Sequence, residues 1–355
     1  MAHRSLRWLG ILAATAVLAV AGTALAGARG GHPNVYTQRN LVSDIAGVAR
    51  ITDPNLVNPW GLSAGPTTPL WVADNGPGLS TLYSGGVQGS VPMIVPLVVT
   101  IPDGAPTGTV FNPTTGFQVN GAPAKFLFDS EAGTVTAWNA GTAAQTVVPN
   151  SGAVYKGLAL AGSGMDARLY AANFTGAKID VFDPSFKPVT APGGFVDPNL
   201  PKGYGPFNVQ ELAGKIVVAY AEIDPKTGDE VAGPGKGFVD VYDTGGHLLR
   251  RLISNGNLDA PWGLVLAPQH FGQFGGDLLV GNFGDGHINA YDPRTGQFEG
   301  TPTNKDGNPI TVNGLWALRF GNGTFGTPTT LIFSAGIGDE DHGLLGEIVV
   351  KGSGD

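Results

Sequence analysis

Apolar residues along this chain come in short runs separated by glycine- and proline-rich turns, and the runs recur as a pattern. Residues 58–63 read Asn-Pro-Trp-Gly-Leu-Ser, a turn follows, and residues 70–75 read Leu-Trp-Val-Ala-Asp-Asn. Residues 259–265 read Asp-Ala-Pro-Trp-Gly-Leu-Val, and after a glycine-rich turn residues 277–283 read Asp-Leu-Leu-Val-Gly-Asn-Phe. A third run follows in each copy, Thr81-Leu82-Tyr83 and His287-Ile288-Asn289-Ala290-Tyr291. Runs this short, bounded by turn residues, predict β-strands. The second run of each unit is apolar on both faces, as in Leu278-Leu279-Val280, which predicts cover from both sides. The third alternates, as in Lys178-Ile179-Asp180-Val181-Phe182, and predicts a half-buried strand.

Six such units follow one another. The first runs from Pro59 through Val98, and the second holds Ala124–Asp129 and Gly133–Trp138. The third opens on Lys156-Gly157-Leu158 and continues through Leu169–Asn173 and Lys178–Asp183. The fourth has Phe207-Asn208-Val209, Ile216–Tyr220 and Gly237–Asp243; the fifth is the second Trp-Gly-Leu copy. The sixth has Leu315–Leu318, Thr330–Ser334 and Gly346–Val350. Trp60 and Trp262 lie 202 positions apart, four steps of about 50, the length of a four-stranded propeller blade. The sixth unit ends one strand short. Residues 35–43 resemble 248–255, the segment that precedes the second Trp-Gly-Leu, and so supply the missing outer strand. The expected fold is all-β, a six-bladed β-propeller over residues 35–350 closed by its N-terminal strand in the last blade; a two-domain β-sandwich is the alternative.

Residues 1–26 stand apart. His3, Arg4 and Arg7 make a basic start, Trp8–Ala21 is an apolar run, and Ala24-Leu25-Ala26 offers the small residues of a cleavage site. That order is the pattern of a secretory signal peptide, and the run is short for a membrane span. Export to the periplasm or the extracellular medium is expected, with 27–34 as a flexible lead, 351–355 as a short tail, and no stable membrane anchor once the signal is cleaved. No cysteine is present, which excludes disulfides, thiol catalysis and cysteine-ligated metal. The charge of −8 becomes −10 without Arg4 and Arg7, and no Lys/Arg cluster interrupts it, so nucleic acid is not an expected partner. With 56 glycines and 27 prolines, the low charged fraction of 14% reads as tight turns between apolar strands, not as disorder.

The Pro-Trp-Gly-Leu, Val-Ala-Asp-Asn and Ile-Asp-Val-Phe-Asp-Pro stretches resemble six-bladed propellers of the NHL and SMP-30/gluconolactonase-like group. Across residues 35–350 the chain also resembles a family of exported bacterial propeller proteins without an assigned activity. Such motifs specify a fold more than a chemistry.

In a propeller the ends of the second strands open onto a common face. The oxygen-bearing residues there are Asp74, Asn75, Asp129, Asn173, Glu222 and Asn282, with Asp339 slightly later in the sixth unit. Such groups either cap their own turns or together bind a ligand or a divalent cation such as calcium. The SMP-30 resemblance implies a metal set of Glu222, Asn173, Asn282 and Asp339, with Asp339 the carboxylate that activates water in a lactonase or other hydrolase. This chain departs from that pattern, since Val57-Asn58-Pro59-Trp60 stands where the resembled family places a metal-binding glutamate. The acidic run Gly338–Gly343 reads as a solvated turn, Asp285 and His287 as a hairpin turn, and Pro225–Lys236 as a rim loop or lid. Trp60, Trp262 and Trp316, at equivalent positions, read as blade packing. The leading expectation is an exported binding or scaffold propeller that takes a small molecule, glycan or protein at the channel mouth. The alternative is a divalent-metal-dependent hydrolase.

Overall fold

The computed structural model describes residues 34–351 apart from Gln88 and Ser151. The expected signal segment, residues 27–33 of the lead and residues 352–355 of the tail lie outside the described residues.

Six antiparallel sheets form the blades of a β-propeller. Their inner strands are Pro59–Ser63, Pro106–Phe111, Tyr155–Ala161, Tyr204–Leu212, Pro261–Leu266 and Leu315–Phe320, numbered here blades 1 to 6. Each inner strand neighbours the next around the axis, and blade 6 returns to blade 1. The sequence pattern supplies no inner strand for blade 2. The structure places it at Pro106–Phe111, where Thr107-Gly108-Thr109 stands in for Trp-Gly-Leu; two threonines without a tryptophan hide the repeat. Blade 3 has three strands among the described residues, its outer position reduced to a bridge between Phe182 and Pro188.

The ring closes through the N-terminal strand, as the missing-strand pattern implies. Tyr36–Ser43 pairs antiparallel with His342–Val350, from Tyr36 opposite Val350 to Ser43 opposite Leu344. A chain-terminal clasp of this kind covers the outer edge of His342–Val350 in blade 6. The clasp continues past the strand: Asp44 Oδ1 accepts the Gly343 N–H at 2.9 Å, and Asp44 Oδ2 lies 2.7 Å from His342 Nδ1.

Between each pair of neighbouring blades lies one apolar cluster. Leu279 packs toward blade 6 while Leu278 and Val280 pack toward blade 4, which is why the second strands are apolar on both faces. At the axis the blades touch through backbone. A Cβ on Gly61 would lie 2.5 Å from Thr107 O of blade 2, one on Gly108 would lie 2.3 Å from Leu158 N of blade 3, and one on Gly263 would lie 2.9 Å from Trp316 O of blade 6. Blade 4 carries Asn208 at this position, and its Nδ2 donates across to Trp262 O at 2.7 Å. A register shift interrupts the inner pairing beside it, at Pro59/Leu62, Tyr155/Leu158 and Pro261/Gly263 among others. Such a bulge re-aims the neighbouring side chain, here toward the axis.

Asp129, at the end of the second strand of blade 2, serves this close approach. Its Oδ1 accepts the Gly108 N–H at 2.7 Å and the Thr107 hydroxyl at 2.9 Å, and Thr107 also lies 2.9 Å from the Tyr155 carbonyl of blade 3. Oδ2 has no partner among the described residues, and burial pushes the carboxyl up to about 7.

Two outcomes follow from this packing. Gly108→Ala is expected to destabilise the fold by about 1–3 kcal/mol in urea or guanidinium unfolding, because the facing atoms are backbone and cannot step aside. Asp129 is protonated in the native state up to about pH 7 but ionises in the unfolded chain near its ordinary value of 3.8. The native state therefore holds a proton that the unfolded state has lost, and this contribution to stability falls as pH rises across that window. Asp129→Asn is expected to remove that slope, gaining on the natural chain by on the order of 2 kcal/mol between pH 5 and pH 8. Parallel stability-versus-pH curves for the two proteins would contradict it.

Candidate functional site

The residue just ahead of the small axial position points into the channel. In chain order these residues are Trp60, Thr107, Lys156, Phe207, Trp262 and Trp316. Trp60 and Trp316 stack with ring centroids 3.5 Å apart, and Trp262 meets both edge-on at 6.1 and 5.8 Å. Phe207 packs on Trp316 at 5.8 Å, and Phe283 stacks on it at 4.2 Å. These rings form an axial cluster of their own. Two of the three indoles anchor the ring by hydrogen bonds: Trp316 Nε1 donates to Asn58 Oδ1 at 3.0 Å, and Trp262 Nε1 donates to the Lys156 carbonyl at 2.8 Å.

Into this aromatic plug blade 3 inserts an ammonium. Lys156 is 3% exposed, and its Nζ lies 5.2 Å from the Trp60 ring centre, 5.6 Å from that of Phe174 and 5.8 Å from that of Phe207. Cation–π attraction alone, about 2 kcal/mol when desolvated, does not offset the burial of a full charge. Glu131 and Glu230 do the rest, each 3.0 Å from Nζ. Burial pulls the lysine pKa down, the two carboxylates outweigh it, and the net position is above the ordinary value. Lys156 is therefore a fixed cation. Imine chemistry needs a neutral amine, so this lysine is not a nucleophile at neutral pH.

The network spreads across the face at which the inner strands begin. Asn75 Nδ2 donates to Glu131 Oε2 at 3.0 Å, and Asn58 Nδ2 lies 3.4 Å from Asn75 Oδ1 and donates to Glu340 Oε2 at 2.7 Å. Burial raises the Glu340 pKa, the Asn58 hydrogen bond opposes this, and the nearby charge of Glu230 raises it further. Each group arrives on a different element. Asn58 and Asn75 flank the first hairpin of blade 1, Glu131 follows the second strand of blade 2, and Glu340 sits in the last turn of blade 6. Glu230 rides on the short strand Glu230–Val231 of the 225–236 segment, which the sequence marks as a rim loop. The same segment brings Lys236 to Glu222 at 3.1 Å. Asn58 and Glu340 both hold left-handed backbone, at φ 45° and 67°, a conformation that costs non-glycine residues energy and here fixes where their side chains lead.

Of the seven residues singled out from the sequence, Asn75 joins this network. Asp74 is fully buried and accepts the Thr81 N–H at 2.8 Å; burial raises its pKa well above the usual range. Asp129 ties blades 2 and 3 as described above. Asn173 caps its turn, accepting from Gly176 N at 3.1 Å and donating to Asp180 at 2.8 Å. Asn282 donates to the Asn257 carbonyl and to Asp285 at 2.8 and 3.0 Å. Glu222 pairs with Lys236, and Asp339 is exposed on a left-handed turn at φ 56°. The four groups of the metal set are each engaged or exposed within their own blade, with no hydrogen bond between them. Among the described residues no three or more His, Asp and Glu side chains gather as metal ligands would. Asp285 receives the His287 N–H at 2.9 Å, the hairpin turn read from the sequence. In the acidic run, Glu340 enters the network and His342 the clasp, while Asp339 and Asp341 face solvent.

Sequence reasoning passed over Lys156, Glu131, Glu230, Glu340 and Asn58 as site residues. One signal for Lys156 was present: Lys156-Gly157-Leu158 aligns with Trp-Gly-Leu, a charge where blades 1, 5 and 6 carry tryptophan. The glutamates carry no such mark, because Glu131 and Glu340 lie in turns and Glu230 on a short strand of an inserted segment.

Comparison with known proteins sets the chain among relatives. No family model matches it. Among solved structures, virginiamycin B lyase from Staphylococcus aureus superposes with a TM-score of 0.50 at 14% identity, covering 89% of this chain and 99% of that one. A catalytically inactive form of the same enzyme with quinupristin gives 0.51 at 14% identity, with the same coverage. At that identity the likeness is one of fold. The protein called Uncharacterized protein L690, from Acanthamoeba polyphaga mimivirus, is 30% identical over 328 residues, 87% of this chain and 84% of its own length. Uncharacterized protein R648 of the same virus is 33% identical over 327 residues, 87% of this chain and 78% of its own length. The chain belongs to the family of these two mimivirus proteins.

Proposed function

We propose that this protein is an exported ligand-binding propeller that takes its ligand on the axial face, at Glu131, Glu340 and Asn75 above the Lys156 ammonium. The observation that carries this reading is the identity of residue 156. Blades 1, 5 and 6 fill the same position with tryptophan, so a seal at the axis needs no charge. Replacing a buried ion pair with apolar side chains is often neutral or stabilising, and a charged triad kept in an aromatic plug argues for a task other than stability. Two carboxylates pair with the ammonium, a third, Glu340, is held by Asn58 within its field, and Glu131, Glu340 and Asn75 are partly exposed. This face therefore offers acceptors to hydroxyl or ammonium groups of a small molecule, a glycan or a protein segment.

Export rests on the basic, apolar and small-residue order of residues 1–26. Among the described residues no helix is long and apolar enough to cross a membrane. The divalent-metal hydrolase reading draws no support from the geometry, because Asn173 caps its own turn, Glu222 pairs with Lys236, and no group of three metal-ligating side chains forms among the described residues.

A screen of amines, polyols and sugars, read by thermal shift and by tryptophan fluorescence from the rings beneath the site, tests this directly. A ligand is expected whose affinity falls at least tenfold in Glu131→Gln and Glu340→Gln and is unchanged in Asp339→Asn. Binding that survives both glutamate changes, or that depends on Asp339 and is lost on chelation, would overturn the reading. The network also has a stability signature. Lys156→Met is expected to cost about 3–5 kcal/mol, because it leaves Glu230 buried without its partner. Adding Glu131→Gln and Glu230→Gln to Lys156→Met is expected to recover most of that loss in denaturant unfolding.

A further inference from the structure

Below the plug the channel opens again, at the end where the inner strands finish. A cavity of about 150 Å³ lies there, bounded by Thr109, Gln210, Trp262, Leu264, Ala317 and Arg319 among others. It is comparable to an engineered cavity of about 150 Å³ that holds benzene. Its chemistry is the reverse of the upper face. Arg319, on the inner strand of blade 6, is partly buried, and its Nη2 donates to the Ala64 carbonyl at 2.8 Å. Among the described residues no carboxylate forms an ion pair with it. Glu211, the one acid lining the cavity, is exposed and accepts the Gly214 N–H at 2.6 Å. Burial lowers the Arg319 pKa and no neighbouring charge opposes it, yet a guanidinium stays ionised in proteins.

An arginine offers five N–H donors in a planar fork, and one of them is accounted for by Ala64. A second group in the same cavity is also unsatisfied. Thr109, on the inner strand of blade 2, is 5% exposed, and its hydroxyl has no hydrogen-bond partner among the described residues. A partly buried cation without an anion and a buried hydroxyl without a partner both carry a cost, and both border one small space.

We propose that the lower end of the channel is a binding site for a small oxyanion, a carboxylate or a phosphate, held by the Arg319 guanidinium and by the Thr109 hydroxyl. The planar fork of arginine suits two oxygens of either group, and the volume limits the occupant to a few heavy atoms. The aromatic plug separates this site from the acidic face above, so the two ends of the axis select ligands of opposite charge.

The test is titration of the full chain, exchanged into chloride buffer, with acetate, inorganic phosphate and sulfate at constant ionic strength. Thermal shift and calorimetry give the readouts. A saturable rise in Tm with acetate or with phosphate is expected, and which of the two binds tighter separates a carboxylate ligand from a phosphate. Affinity is expected to fall at least tenfold in Arg319→Gln and about threefold to tenfold in Thr109→Val, and to be unchanged in Asp306→Asn at the surface. Thr109→Val leaves the guanidinium in place and keeps the test readable where Arg319→Gln does not fold. The absence of any saturable effect beyond chloride, or full affinity in Thr109→Val, would overturn the proposal.

Discussion

At the axis of this propeller, the inner strands of neighbouring blades come so close that four of the six blades leave no room for a Cβ. Gly61, Gly108, Gly157 and Gly263 stand where a Cβ would strike the next blade, and the other two blades use Asn208 and Ala317. Close approach has two consequences. It lets backbone and short side chains tie blade to blade, as Asp129 and Thr107 do between blades 2 and 3. It also forces a bulge whose preceding residue is thrown into the channel. The content of the channel is therefore set by one position per blade.

Five of those six positions carry Trp60, Phe207, Trp262, Trp316 and Lys156, and the sixth carries Thr107. Aromatic rings alone would close the channel with a featureless plug. A lysine among them changes the physics, because a desolvated ammonium requires counter-charge brought from elsewhere in the chain. Glu131 comes from blade 2 and Glu230 from a segment of blade 4 that has no counterpart in the other blades. Glu131 and Glu340, both partly exposed, then make the upper face acidic while Glu230 stays buried against the ammonium. Below the plug no such compensation is provided for Arg319. The plug thus separates an acidic upper face from a lower cavity that holds Arg319, both dictated by where charge has been placed against an aromatic wall.

The fold was legible because it is periodic. Trp60 and Trp262 set the blade length, Leu278-Leu279-Val280 announced a strand covered on both faces, and the likeness of 35–43 to 248–255 foretold the closing strand. The inner strand of blade 2 was hidden, since Thr107-Gly108-Thr109 keeps the small residue but loses the ring. The site was far less legible. Aspartates and asparagines that end second strands share a sequence position, yet Asn173 and Asn282 turn inward to their own loops. Asn75 reaches Glu131 because Asn58 and Glu340 adopt left-handed backbone beside it, a feature that residue type does not announce. Glu131, Glu230 and Glu340 converge from three blades across long separations, and convergence of that kind has no local signature. Lys156 was the exception: a charge breaking an aromatic repeat is visible in one sequence.

The charge state of Lys156 is the point on which both the sealed axis and the acidic face rest. It can be read from the Lys156 Nζ resonance by NMR, with Lys156→Met providing the assignment. A side-chain ammonium held by Glu131 and Glu230 is expected to remain protonated past 10.5, the ordinary lysine value, and to exchange slowly with water. A titration midpoint below that value, or rapid exchange like that of a surface lysine, would contradict a buried ion-pair network at the axis and the ligand site built upon it.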